Sequence, residues 1–515
     1  MKLCQAIALF CGLVLIASSV RAADPAQLAE RIDAELAKGW QRAGVQPAKG
    51  VDDGTFLRRV YLDLVGRIPT VAETQAFLDD AQPNKRARLT EQLINSGGYA
   101  RHFATVWRRI WVPQTDTQEF ARLSNEFEAW AAVRLRDNVS YDKLVEELLL
   151  ASRTRQANSA QDLQQAVNPI GFQAASLFRA ENLAANTTRA FLGLNLDCAQ
   201  CHDHPFSRWT RNQFWETAAF FAAPQMDAES KRDVLEVKIP ETEKVMRPKL
   251  LNDRVPEFPT SIAPDSGRKE LSKWIIEREN PYFARNAVNR LWANFFGYGL
   301  VEPLDDLSDD NPSSNPELHQ ALADAFVASG YDLKFLTQAL VQTRAYQLST
   351  ISSGTTPPPE LRLFERMPVR GLSGEQLYDS LVVAAALPSV RKDLLSGREG
   401  NRREQFASLL HIERAVAAER SIVQSLTLMN GTLVQELTKS ETSPLLAAAT
   451  DSPFLSTAEK VEMLFYGALN RRPTADETKT LLTYVTSKDD DRTETAALAD
   501  VLWVLLNSSE FNTNH

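Results

Sequence analysis

Cysteine is nearly absent from this sequence. The 515-residue chain has four, and two of them, Cys4 and Cys11, fall within its first 22 residues. A disulfide-stapled scaffold is therefore excluded, because such folds are dense in cysteine. Glycine (21) and proline (25) are too few for a collagen-like or wholly disordered chain. Positive charge is not in excess either. With 57 Lys and Arg against 66 Asp and Glu, the net charge is −9, which argues against nucleic acid as the main partner. No nucleophile elbow, phosphate loop, His-Glu-x-x-His zinc motif or dinucleotide fingerprint occurs. What is present, 44% hydrophobic and 24% charged residues, suits a water-soluble globular protein, and the length predicts two or three domains.

The first residues read as an address. Lys2 supplies a positive charge, residues 3–17 are almost unbroken apolar, and Val20-Arg21-Ala22 offers a cleavage site. This is the layout of a secretory signal peptide, predicted to be cut after Ala22. The apolar run is shorter than the ~20 residues a membrane span requires, and no later run is long enough. The expectation is an exported protein, periplasmic or extracellular, with no transmembrane segment and with Cys198 and Cys201 as its only thiols.

Apolar residues at helical spacing dominate the remainder. Leu28, Ile32, Leu36 and Trp40 lay one stripe along residues 26–43. Similar stripes cover 56–65, 99–111, 120–136, 141–149, 163–178, 271–279, 284–296, 317–329, 333–346, 374–386, 456–469 and 495–506. Strand-like alternation is confined to residues 234–239, within the proline-punctuated stretch 224–264. The expected fold is mainly α, with two helical domains at 23–223 and 265–515 joined by a 224–264 linker carrying a little β structure. A second break, rich in Ser, Thr and Pro, spans 349–359.

Residues 61–78 align without gaps on 465–482. Arg67, Pro69, Thr70, Glu73, Thr74 and Leu78 match Arg471, Pro473, Thr474, Glu477, Thr478 and Leu482. Thr70 and Thr474 are predicted N-caps, each with a glutamate three residues on that completes a capping box. Two similar helix-turn-helix corners with a structural role are expected.

The chemistry falls at Asp197-Cys198-Ala199-Gln200-Cys201-His202-Asp203-His204-Pro205-Phe206. Cys-x-x-Cys-His is the attachment pattern of haem c: the two thiols bond the porphyrin and His202 ligates the iron. Export suits this assignment. His204, Met226, Met246 and His102 are candidates for a further axial ligand, and a five-coordinate iron is the other option. Trp209, Phe214, Trp215, Phe220 and Phe221 either wall a porphyrin or form plain core. A disulfide between Cys198 and Cys201, a zinc or other metal site using the two thiols with His202 and His204, and simple burial of the two cysteines stay open as alternatives.

A second polar set lies downstream. Arg285, Asn286, Asn289 and Arg290 are spaced to share much of one helical face, followed by Asp305, Asp306, Asp309, Asp310 and Asn311 in a loop. Such a loop either binds calcium or caps a helix while its carboxylates pair with Arg285 and Arg290. The second reading is the expected one.

Several of these stretches resemble a known family. Phe56-Leu57-Arg58-Arg59-Val60-Tyr61-Leu62-Asp63-Leu64, the Cys198–His202 motif, residues 280–292, residues 297–306, residues 370–377 and residues 505–511 are similar to planctomycete-type secreted proteins. These join a cytochrome-c-like domain of unknown function to a C-terminal companion domain of unknown function. The resemblance implies haem at Cys198, Cys201 and His202, and a redox or envelope partner. It carries no reaction, so the expectation is electron transfer or an unassigned oxidoreductase. The alternative is a non-enzymatic envelope or interaction protein.

Overall fold

The computed structural model describes residues 24–113, 121–151, 169–352, 360–387, 398–410, 422–487 and 493–515. The leader expected at 1–22, the stretch 152–168 and the Pro-rich 353–359 lie outside them. The described chain is mainly α, with only three two-stranded ladders. No helix among the described residues is long and apolar enough to cross a membrane.

The apolar stripes form helices close to where their spacing places them. Examples are Pro25–Ala43, Asp53–Val65, Gly97–Trp111, Phe283–Phe296, Thr457–Ala468 and Glu494–Asn507. Local chemistry sets their ends. The Asp24 side chain accepts from the Ala26 N–H ahead of Pro25, and Gly44 closes the same helix in the left-handed conformation. Of the 163–178 stripe, the described part forms only the short helix Gly171–Ala175. Residues 234–239 do not make one strand. Asp233–Val234 pairs with Gln225–Met226, whereas Val237–Lys238 pairs with Val245–Met246, so the run divides between two hairpins within 224–264.

The two corners form as their shared sequence predicts. Both capping boxes are closed, at Thr70–Glu73 and Thr474–Glu477. Each glutamate also receives a two-pronged arginine, Arg67 at 2.9 Å and Arg471 at 2.8 Å. Arg67 lies 5.3 Å over the Tyr61 ring and Arg471 5.3 Å over the aligned Phe465 ring.

Apolar contacts form two cores. The larger runs from Leu28 to Met367 and mixes Trp107, Trp111 and Trp130 with Phe283, Trp292 and Tyr346. The smaller combines Leu62 and Ile68 with residues from Leu372 to Phe511. The helix Asp53–Val65 therefore contributes to both, and its buried polar residues tie the seam. Asp63 accepts from Tyr346 Oη at 2.7 Å, Arg370 at 2.8 Å and Asn514 at 2.8 Å. Arg58 donates to the carbonyls of Ala468 (3.1 Å) and Phe511 (2.6 Å), and Arg59 to that of Leu348 (2.9 Å).

Candidate functional site

The thiol-bearing segment begins where a helix loses its regular turn. After the helix Ala180–Thr187, residues Thr188–Leu192 widen into a π turn that closes at Gly193, φ 65°. A side chain at Gly193 would meet Asn286 and Leu307, so this position requires glycine twice over. The chain then makes a 3-10 turn over Asp197–Gln200. Leu196 and Ala199 are buried in the core, whereas Cys198 within the turn and Cys201 just after it are exposed. Both thiols are exposed and free.

The turn is braced from within. Trp215 Nε1 donates to the Gln200 carbonyl (3.0 Å), the Arg211 N–H to Asp203 Oδ1 (2.8 Å), and the His204 N–H to the Trp209 carbonyl (2.8 Å). Beyond it, Thr210 and Gln213 close a capping box on the helix Arg211–Ala218.

The two histidines are held in opposite tautomers. His202 Nδ1 lies 2.7 Å from the Asp203 carbonyl oxygen, which only accepts, so Nδ1 carries the proton and Nε2 keeps its lone pair. His204 Nδ1 instead accepts from the Phe206 N–H at 3.2 Å, placing the proton of its neutral ring on Nε2. His202 is exposed, with its free nitrogen available. A backbone carbonyl that fixes one imidazole nitrogen so that the other can ligate is the usual support of a metal-bound histidine. Two exposed thiols three residues apart and this imidazole are the donor types that a covalently attached haem requires.

The remaining candidates are dispersed. Met226 is exposed on the hairpin strand Gln225–Met226. Met246 is buried opposite Val237. His102 stacks edge-on against Phe103 and fills the space beside Gly66. Burial, with Arg109 and Arg403 nearby, pulls its pKa down to about 4. Trp209, Phe214, Trp215 and Phe220 belong to the core, with Phe221 packed partly against it. Phe206 is exposed. Among the described residues, no group of three or more His, Cys, Asp or Glu side chains is gathered in a way that could hold a metal ion.

The downstream polar set does something other than expected. Arg285 bonds Gln320, and Arg290 bonds Asn286 (2.9 Å) and the Arg189 carbonyl (2.7 Å), rather than either pairing with the aspartate loop. The carboxylates reach elsewhere: Asp305 accepts from the Asn195 side chain at 3.3 Å, and Asp309 pairs with Arg208 at 3.2 Å. Asn286 and Asn289 are fully buried, Asn286 donating to the Ala190 carbonyl and Asn289 to that of Val301. The signal that identified this role was available: two asparagines three apart among the apolar positions of one helix mark buried hydrogen bonding.

Comparison with known families divides the chain in the same order. Residues 31–225 match PSCyt2, described as a protein of unknown function (DUF1549), and residues 267–423 match PSD1, described as a protein of unknown function (DUF1553). The chain thus carries two regions of unknown function in tandem, with the Cys-x-x-Cys-His turn in the first. No curated protein and no solved structure matches.

Proposed function

We propose that this is an exported haem c protein serving electron transfer or a related oxidoreduction. Cys198 and Cys201 would bond the porphyrin and His202 would ligate the iron through Nε2. The observation that carries the reading is the pairing of two free, exposed thiols with a neighbouring imidazole whose Nδ1 proton is committed to the Asp203 carbonyl. When bound, haem supplies a one-electron couple, its potential set by axial ligand and exposure. The chain's own residues present the thiols, fix the His202 tautomer and brace the turn. Such an exposed site suits exchange with a redox partner. Met226 and His204 are the sequence-level candidates for a further ligand, and the proton on His204 Nε2 disfavours it.

The test is a pyridine haemochrome spectrum and an intact mass of the chain made in a host that matures c-type cytochromes. The expected product is red, keeps its α band through acid-acetone extraction, and is heavier by one haem. A colourless chain lighter by two hydrogens would overturn this reading in favour of a non-enzymatic envelope protein with a Cys198–Cys201 disulfide. Bound zinc on elemental analysis would make the pair a metal clip instead.

A further inference from the structure

The second region grips the thiol-bearing turn at both of its ends. On the entry side, the helix ends at Gly193 and leaves its last carbonyls without intrahelical partners, and two donors of the helix Phe283–Phe296 take two of them up. Arg290 Nη2 donates to the Arg189 carbonyl and Asn286 Nδ2 to that of Ala190, at 2.7 and 2.8 Å. The next residues form a short antiparallel clasp. The Leu307 N–H bonds the Gly193 carbonyl and the Asn195 N–H that of Asp305, both at 2.9 Å. On the exit side, Arg208 lies over the Trp209 ring and donates to Tyr282 Oη at 2.9 Å. The two ends are unequal: Arg208 is mostly exposed, and such contacts contribute little. Asn286 is wholly buried, and an unpaired buried donor costs far more than an exposed one.

We propose that residues 282–307 form a frame for the turn, with Arg290 and Asn286 as its positioning residues. The frame fixes residues 189–195 so that Cys198, Cys201 and His202 are presented in one orientation. Its purpose rests on the haem reading above, but its existence does not, because every contact lies in the polypeptide. The frame also gives the second region a role: without it, the entry side of the turn has unsatisfied carbonyls and no partner strand.

The experiment is amide hydrogen exchange of the full chain as isolated, comparing wild type with Arg290→Met and with Arg290→Lys. The second variant keeps the charge and the aliphatic stem but cannot hold the Asn286 side chain and the Arg189 carbonyl together. Thr474→Ala, which opens the capping box in the distant corner, is the control for general loss of stability. Exchange across residues 197–206 is expected to rise at least tenfold in Arg290→Met and severalfold in Arg290→Lys, and to stay unchanged in the control. If Arg290→Met does not fold, Arg290→Lys decides. Unchanged exchange in both frame variants, or an equal rise in the control, overturns the proposal. A colourless chain that still loosens only in the frame variants removes the haem reading and leaves the frame. A red chain whose turn ignores the frame variants does the reverse.

Discussion

His319 illustrates how a single buried side chain sets a response to acid. It is 4% exposed, and its Nε2 donates to the Arg285 carbonyl at 2.9 Å. Burial disfavours the charged ring and lowers its pKa from 6.5 to about 4. The unfolded chain therefore takes up a proton near pH 6.5 that the folded chain refuses until about pH 4. Stability from this group is complete above pH 6.5 and drains away as the pH falls toward 4, by on the order of 2–3 kcal/mol. In His319→Gln, which keeps a donor for the carbonyl, urea unfolding at pH 7.5 and pH 5 should differ by that much less than in wild type. An unchanged pH dependence would remove the assignment.

Among the elements, the paired corners separate backbone conformation from side-chain bonding. Gly66 (φ 75°) and Asn470 (φ 62°) occupy the same left-handed step of the two alignments. At Gly66 any side chain would strike His102, so glycine is required. At Asn470 there is room, and the carboxamide is used: it donates to the carbonyls of Pro69 and Tyr466, both at 3.0 Å, and accepts from Arg58 at 3.0 Å. Asn470→Gly preserves the backbone and deletes these bonds, with an expected loss of about 1–3 kcal/mol in chemical denaturation. Asn470→Ala adds the left-handed penalty of roughly 1 kcal/mol or more and should be the worse variant. Equal stability of wild type and Asn470→Gly would show that the carboxamide does not clamp the corners together.

For the molecule as a whole, the two family-matched regions share one interior. The larger core sets Ile32, Phe56 and Trp107 against Leu271, Phe283 and Trp292, and the smaller one needs Leu62 and Ile68. A fragment comprising residues 24–225 would expose those faces. Burial of apolar surface contributes roughly 25 cal/mol per Å² against a small net stability, so exposing these faces works directly against folding of the fragment. The fragment is expected to give no cooperative thermal transition in calorimetry, whereas the full chain gives one. A sharp transition in the isolated fragment would show that the shared core is dispensable.

The amino-acid sequence alone determined most of the striped helices, the two corners with their capping boxes, and the thiol-thiol-imidazole order at Cys198, Cys201 and His202. These depend on neighbours within a turn or two, where periodicity and capping chemistry act directly. Only the tertiary structure decided what the buried polar residues hold. Spacing placed Asn286 and Arg290 on a helix without revealing that they bond carbonyls at residues 189 and 190. Likewise, Arg58, Arg59 and Asp63 stood out as a motif, but their partners lie hundreds of positions away, at Phe511, Leu348 and Asn514. A hydrogen bond needs its partner within about 3 Å, and that proximity is created by packing rather than by order along the chain.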